Sequence, residues 1–169
     1  MRRAWLLCFF FVPAAHAQVP CGELTPEDME GPFYKAGAPA RASLAEPGSK
    51  ADRMVLTGVV RAADCKPLAS VRLDFWHADA QGEYDNRGYR YRGVVTTDAE
   101  GRYRLETNLP PPYMGRPRHI HVKLQRPGGK VVTTQLYFPG ESRGADKALV
   151  VKIERRDGMQ TTTFDFVLQ

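Results

Sequence analysis

Short runs of alternating apolar and polar residues, cut at near-regular intervals by Gly, Pro, Asp and Asn, constrain the fold of this chain more than any other feature. On a strand, successive side chains point to opposite faces, so alternation with period two builds a sheet with one apolar face. Val71, Leu73 and Phe75 alternate in this way with Arg72, Asp74 and Trp76. Residues 54–60 form an earlier run, ended by a loop that holds Asp64 and Pro67. Residues 92–97 and 102–107 predict a hairpin around Asp98-Ala99-Glu100-Gly101. Residues 118–125 and 131–138 predict a second across Pro127-Gly128-Gly129, and 149–154 with 161–168 a third around Asp157-Gly158. Helical periodicity is almost absent. About eight short strands at this spacing predict an all-β fold, an antiparallel β-sandwich. Residues 18–52 are rich in Pro, Gly and Ala and lack periodicity, which predicts an irregular N-terminal arm laid over a sandwich domain of residues 53–169.

The first 17 residues have the form of a secretory signal peptide. Arg2 and Arg3 provide a basic start, residues 4–15 an apolar stretch, and Ala15-His16-Ala17 an A-x-A cleavage site. The stretch is shorter than the roughly 20 residues that span a bilayer, so no membrane association is expected once it is removed. Arg2-Arg3 matches a twin-arginine signal only weakly, which leaves the export route open. The chain is then expected to be exported, secreted or periplasmic, starting at Gln18. Losing Arg2 and Arg3 from 24 basic residues leaves a surplus of three over the 19 acids. That surplus is small and scattered, which argues against nucleic acid as a partner. Cys8 leaves with the signal. Cys21 and Cys65 remain, and an even pair in an exported chain predicts one disulfide, tying the arm to the start of the sandwich.

Three histidines then remain, and two stand in Arg116-Pro117-Arg118-His119-Ile120-His121. On a strand His119 and His121 share a face, with Cβ atoms roughly 6.5–7 Å apart. That spacing lets both imidazoles reach one metal ion. Ile120, Val122 and Leu124 would face the core and the histidines a cleft. Two partly exposed, hydrogen-bonded histidines fit the same pattern.

Four further stretches surround this pair. Glu30-Gly31-Pro32-Phe33-Tyr34 lies in the arm. Trp76-His77-Ala78-Asp79 leads to Gly82-Glu83-Tyr84. Pro110-Pro111-Pro112-Tyr113 precedes the histidines, and Thr134-Gln135-Leu136-Tyr137-Phe138 follows them. Together, in this order, they resemble the intradiol ring-cleavage dioxygenases, the family of protocatechuate 3,4-dioxygenase and catechol 1,2-dioxygenase. The resemblance runs from about residue 30 to residue 138. It implies a non-haem Fe(III) ion held by Tyr84, Tyr113, His119 and His121. Phenolate oxygens and imidazoles suit that ion. Its charge would hold both tyrosines as phenolates despite an ordinary pKa near 10. The implied substrates are a catechol and O2. The ring is cleaved between the two hydroxyl-bearing carbons, to a muconate-type diacid. In this pattern Tyr113 also leaves the metal to accept a substrate proton. Arg116 stabilises negative charge building on the ring, and Gln135 contacts the metal surroundings or the substrate. Phe33, Tyr34 and Trp76 are expected to line an aromatic pocket, and His77 to be an unliganded residue at a strand end.

The chain departs from the larger members. It lacks the long helical N-terminal region through which the catechol 1,2-dioxygenases dimerise, and looks most like compact exported members. The resemblance therefore fixes neither substrate range nor oligomeric state. Arg118 replaces the small residue common beside the first histidine, which predicts a more basic pocket mouth and a taste for acidic aromatics. Two other classes compete. A non-catalytic β-sandwich binding module would keep the scaffold, but all four implied ligands are retained. A cupin-like metal enzyme also uses H-x-H, but its glutamate is missing, because Gln125 and Arg126 stand there.

Overall fold

A computed structural model describes residues 19–140 and 144–169. The predicted signal peptide lies outside the described residues. Among the described residues nine strands form two sheets. The first contains β1 (Arg53–Ala62), β4 (Arg102–Asn108), β7 (Glu154–Arg156), β8 (Met159–Thr163) and β9 (Phe166–Leu168). The second runs in the order β3 (Arg92–Thr96), β2 (Arg72–Trp76), β5 (His119–Gln125), β6 (Val131–Tyr137). A short 3-10 turn, Lys147–Leu149, precedes β7. Leu56, Leu105 and Phe166 from one sheet meet Leu73, Phe75, Ile120, Val122 and Leu124 from the other in one fully buried core. Each such side chain contributes roughly 1.5–3 kcal/mol of burial.

The sandwich and one of the three hairpins are as the sequence predicts, and a second turns at the predicted place but between shorter strands, with residues 166–168 pairing with β1 instead. β5 and β6 pair antiparallel, and so do β7 and β8 across Asp157-Gly158, both at positive φ. That turn chemistry favours hairpins. Residues 149–153, predicted as strand, contribute only the 3-10 turn and a single bridge from Val150 to Tyr137.

The predicted hairpin of residues 92–107 does not form. Its turn closes locally, with the Asp98 amide donating to the Arg102 carbonyl at 3.0 Å. Beyond it β3 pairs with β2 and β4 with β1, so the chain crosses from one sheet to the other. Both strands carry an apolar face, and facing each other across the core buries both.

The sandwich is also not purely antiparallel. β1 pairs parallel with β8 at Met54–Thr57 and with β9 at Val60–Ala62. Between the two, the Phe164 carbonyl lies where a Cβ on Gly58 would sit, at 1.8 Å. Only glycine admits that approach.

The arm closes both sheets. It exchanges backbone hydrogen bonds with Val94 of β3 and Glu106 of β4. A disulfide joins Cys21 of the arm to Cys65 in the β1–β2 loop. The arm also covers the outer face of the second sheet. His119 and His121 are therefore only 3% and 2% exposed, where alternation alone predicts an open cleft.

Candidate functional site

The outer face of β5 presents His119 and His121 side by side, with ring centroids 4.8 Å apart. The strand register then supplies the neighbours. Trp76 of β2 stands opposite His121 and stacks on it at 4.8 Å. On β6, Gln135 stands opposite His121 and Tyr137 opposite His119. His119 Nδ1 lies 2.6 Å from the Pro117 carbonyl, an acceptor only. That contact fixes the proton on Nδ1 and leaves Nε2 as the lone-pair nitrogen, facing Tyr84 Oη. Burial lowers both imidazoles, and pushes His121 down to about 2, with a smaller contribution from the neighbouring Arg116 guanidinium and the adjacent imidazoles.

Tyr84 arrives from the β2–β3 loop, which two aspartates shape. Asp79 Oδ1 accepts from the amides of Gln81 and Glu83, and its other oxygen takes Arg90 at 2.7 Å. Asp85 accepts from the amides of Arg87, Gly88 and Arg90. The amides of Arg90 and Gly88 hold its carboxyl down at about 2. Short carboxylates that bond nearby amides are a standard way to build turns. The buried guanidinium of Arg92 then donates to the carbonyls of Asp85 and Phe33, joining this loop to the arm. Phe33 stacks on Tyr84 at 4.5 Å.

The result is a convergence. Tyr84 Oη lies 3.1 Å from His119 Nε2 and 3.1 Å from His121 Nε2. Burial raises the Tyr84 hydroxyl well above its ordinary range, so its proton leaves only if a cation compensates. Tyr113 packs edge-on against Tyr84 and Phe33, at 5.4 and 5.7 Å between centroids. A cavity of about 440 Å3 opens here, and its wall includes Phe33, Tyr84, Tyr113, Arg116 and His121. Among the described residues no three His, Cys, Asp or Glu side chains cluster as metal donors, so any donor set here depends on tyrosine. Two neutral imidazole nitrogens meeting a phenol oxygen beside a second phenol is a set that fits a hard, highly charged cation.

Arg116 sits beside this point and is held on two sides. Its Nη2 donates to Gln135 Oε1 at 2.9 Å and to Tyr137 Oη at 3.2 Å, and Nη1 lies 3.4 Å from His119 Nε2. Gln135, fully buried, donates back to the Met29 carbonyl of the arm at 2.7 Å. Tyr137 in turn donates to Asp28 Oδ2 at 2.7 Å. Burial and that carboxylate raise Tyr137 to about 12.

The structure thus gathers Phe33, Tyr84, Tyr113, Arg116, His119, His121 and Gln135 in one place. Trp76 and Tyr34 lie elsewhere. Trp76 supports His121 from behind, and Tyr34 packs on Trp76 while its hydroxyl donates to Asp74. Neither lines the cavity, and Arg118 is not on its wall. His77 is buried, with Nδ1 against the Ala78 carbonyl and Nε2 against the Thr107 hydroxyl. Sequence reasoning missed Tyr137 and Asp28. Tyr137 follows Gln135 by two, so strand alternation puts both on one face. Nothing in the arm singles out Asp28.

A family model described as dioxygenase matches residues 29–169. The chain belongs to the intradiol ring-cleavage dioxygenases. It is 31% identical to a chlorocatechol 1,2-dioxygenase of Pseudomonas sp. (strain P51), over 83% of this chain and 69% of that protein. Among solved structures, the dioxygenase domain of a dioxygenase carbohydrate-binding protein fusion from Streptomyces sp. SirexAA-E superposes with a TM-score of 0.83. The two are 45% identical, and the match covers 87% of this chain and 99% of that one. Catechol 1,2-dioxygenase from Pseudomonas arvilla C-1 superposes with a TM-score of 0.75 at 30% identity, over 86% of this chain and 62% of its own.

Proposed function

We propose that this member of the family is a non-haem Fe(III) enzyme. It cleaves catechol-type rings between the hydroxyl-bearing carbons, incorporates both atoms of O2, and yields muconate-type diacids. The observation that carries the reading is Tyr84 Oη meeting both Nε2 atoms at 3.1 Å at the wall of the cavity. Tyr84, His119 and His121 would hold the ion, with Tyr113 as the second phenolate. When bound, Fe(III) supplies a concentrated positive charge that favours the phenolate forms of tyrosine and catechol alike.

The chain's own residues do the rest. His119 keeps its proton on Nδ1 against Pro117, so Nε2 is available as a lone pair. Trp76 fixes the plane of His121. Tyr113 Oη, which would hold the ion in the resting site, would be the base that accepts a hydroxyl proton from the entering catechol. Arg116, a fixed cation oriented by Gln135 and Tyr137, stabilises negative charge as it builds on the ring. Phe33, with Gly31 and Pro32 of the arm, would wall the ring. Export is part of the proposal, supported by the leader-like residues 1–17 and by the Cys21–Cys65 disulfide.

The visible spectrum of the iron-loaded protein tests the reading. Tyrosinate charge transfer should colour it, and Tyr84→Phe should remove most of that colour and of catechol-dependent oxygen uptake. A protein that stays colourless after iron loading, or a variant with unchanged colour and turnover, would overturn the assignment.

A further inference from the structure

Among the described residues four large apolar side chains are exposed, and two of them, Met29 at 59% and Met114 at 85%, stand on the wall of this one cavity. Met29 comes from the arm and Met114 from the turn between Tyr113 and Arg116. That turn is tight, with the Arg116 amide donating to the Tyr113 carbonyl at 2.7 Å. Its two central residues, Met114 and Gly115, have φ of 42° and 76°. Positive φ at both positions is the habit of Asn-Gly, and a long unbranched side chain there is strained. A strained backbone that holds a flexible thioether in solvent at a cavity mouth points to a use for that side chain.

The charge on the wall argues for the kind of ligand. Among the described residues Arg116 is the one charged group lining the cavity, and its Nη2 is already engaged by Gln135 and by the Tyr137 hydroxyl, itself bonded to Asp28. The remaining wall includes Pro32, Phe33 and the two methionines. A substituent carboxylate entering there would lose water, and Arg116, turned to Gln135 Oε1, Tyr137 Oη and the charge of the ring itself, would have to be shared with it. The volume, about 440 Å3, falls in the range of pockets that take ligands well beyond a single ring.

We propose that Met29 and Met114 form an apolar lip that selects catechols bearing an uncharged hydrocarbon substituent over carboxylated ones. The proposal rests on the ring-cleavage reading, and it reverses the preference for acidic aromatics expected from Arg118.

Oxygen uptake by the iron-loaded protein should give a kcat/KM for butylcatechol about tenfold above that for catechol, with protocatechuate below both. Met114→Asn keeps a residue suited to the turn. It and Met29→Ser should each pull the butylcatechol-to-catechol ratio towards one, and Met29→Leu should preserve it. A second measurement is calorimetric binding of butylphenol and phenol to iron-free protein, where the parent should favour butylphenol about tenfold and Met114→Asn should lose that preference. A ratio unchanged in Met114→Asn and Met29→Ser, or a preference for protocatechuate, overturns the proposal. If no catechol is turned over, the ring-cleavage reading fails, and the phenol-binding ratio still decides the lip.

Discussion

The site is assembled from two unlike halves. One is the outer face of β5 and its neighbours, where His119 and His121 are set by strand register, backed by Trp76 and flanked by Gln135 and Tyr137. The other is the loop and arm side, where Tyr84, Tyr113, Arg116 and Phe33 stand on irregular backbone. Ladder hydrogen bonds position the first half. Aspartate-capped turns and the buried Arg92, which bridges the loop and the arm, position the second. The comparison teaches that stability and chemistry are divided. Damage to the strand half should unfold the protein, whereas damage to the loop half should slow it while the fold persists.

The strongest test of that division is Trp76→Ala. Trp76 is 1% exposed and stacks on His121, so its loss opens a cavity inside the sheet face. Urea unfolding should show a loss of about 4 kcal/mol, and iron uptake should weaken with it. A variant as stable as the parent would break the comparison.

The next effect is a pH dependence at the end of β2. His77 is buried and its folded pKa is lowered from 6.5 to about 4, mainly by desolvation. The unfolded chain therefore binds the proton first. The neutral ring costs nothing above pH 6.5, and stability falls as pH drops from 6.5 towards about 4, by roughly 3 kcal/mol for this group. In iron-free protein His77→Gln should remove that share of the acid loss. An identical acid profile for parent and variant would show that His77 carries none of it.

Legibility in the sequence follows the same division. The H-x-H face was readable because period-two alternation is local, and β5–β6 pairing follows from a short Pro-Gly-Gly turn. The tyrosines were not readable that way. Tyr84 and Tyr113 became specific only through the resemblance, because bonds from residues far along the chain set their places. The crossing between β3 and β4 was hidden for a related reason. Its turn makes hairpin-like hydrogen bonds, yet Val60 of β1 donates to the Gly101 carbonyl and draws β4 into the other sheet. The parallel partners of β1 were equally invisible, since nothing local chooses them. Asp28 illustrates the limit, as an ordinary acid in an aperiodic arm that completes the network around Arg116.

Within the loop half, Arg92→Met sharpens the comparison. The side chain keeps its apolar stem but no longer donates to the carbonyls of Phe33 and Asp85. Leaving these two partly buried carbonyls without their donor should cost about 1–2 kcal/mol. Hydrogen exchange should show faster amides around Tyr84 and unchanged protection on β5. Equal loosening of both would mean that the halves are one cooperative unit.

The smallest expected effect is the most discriminating. Asp28→Ala removes the acceptor that orients the Tyr137 hydroxyl, and so loosens one of the two groups holding Arg116 Nη2. Gln135 still holds the other side, so Arg116 stays near its place but is less fixed. Electrostatic stabilisation depends on donors that need no reorganisation as charge develops. The expected outcome is a kcat lowered about tenfold, equivalent to about 1.4 kcal/mol. The melting temperature and the visible spectrum should be close to the parent's, because neither the core nor the Tyr84–His119–His121 group is touched. Restoring an acceptor with Asp28→Asn should recover most of the rate. If stability falls along with kcat, the arm is structural packing, and the division between a strand half that stabilises and a loop half that reacts does not hold at this position.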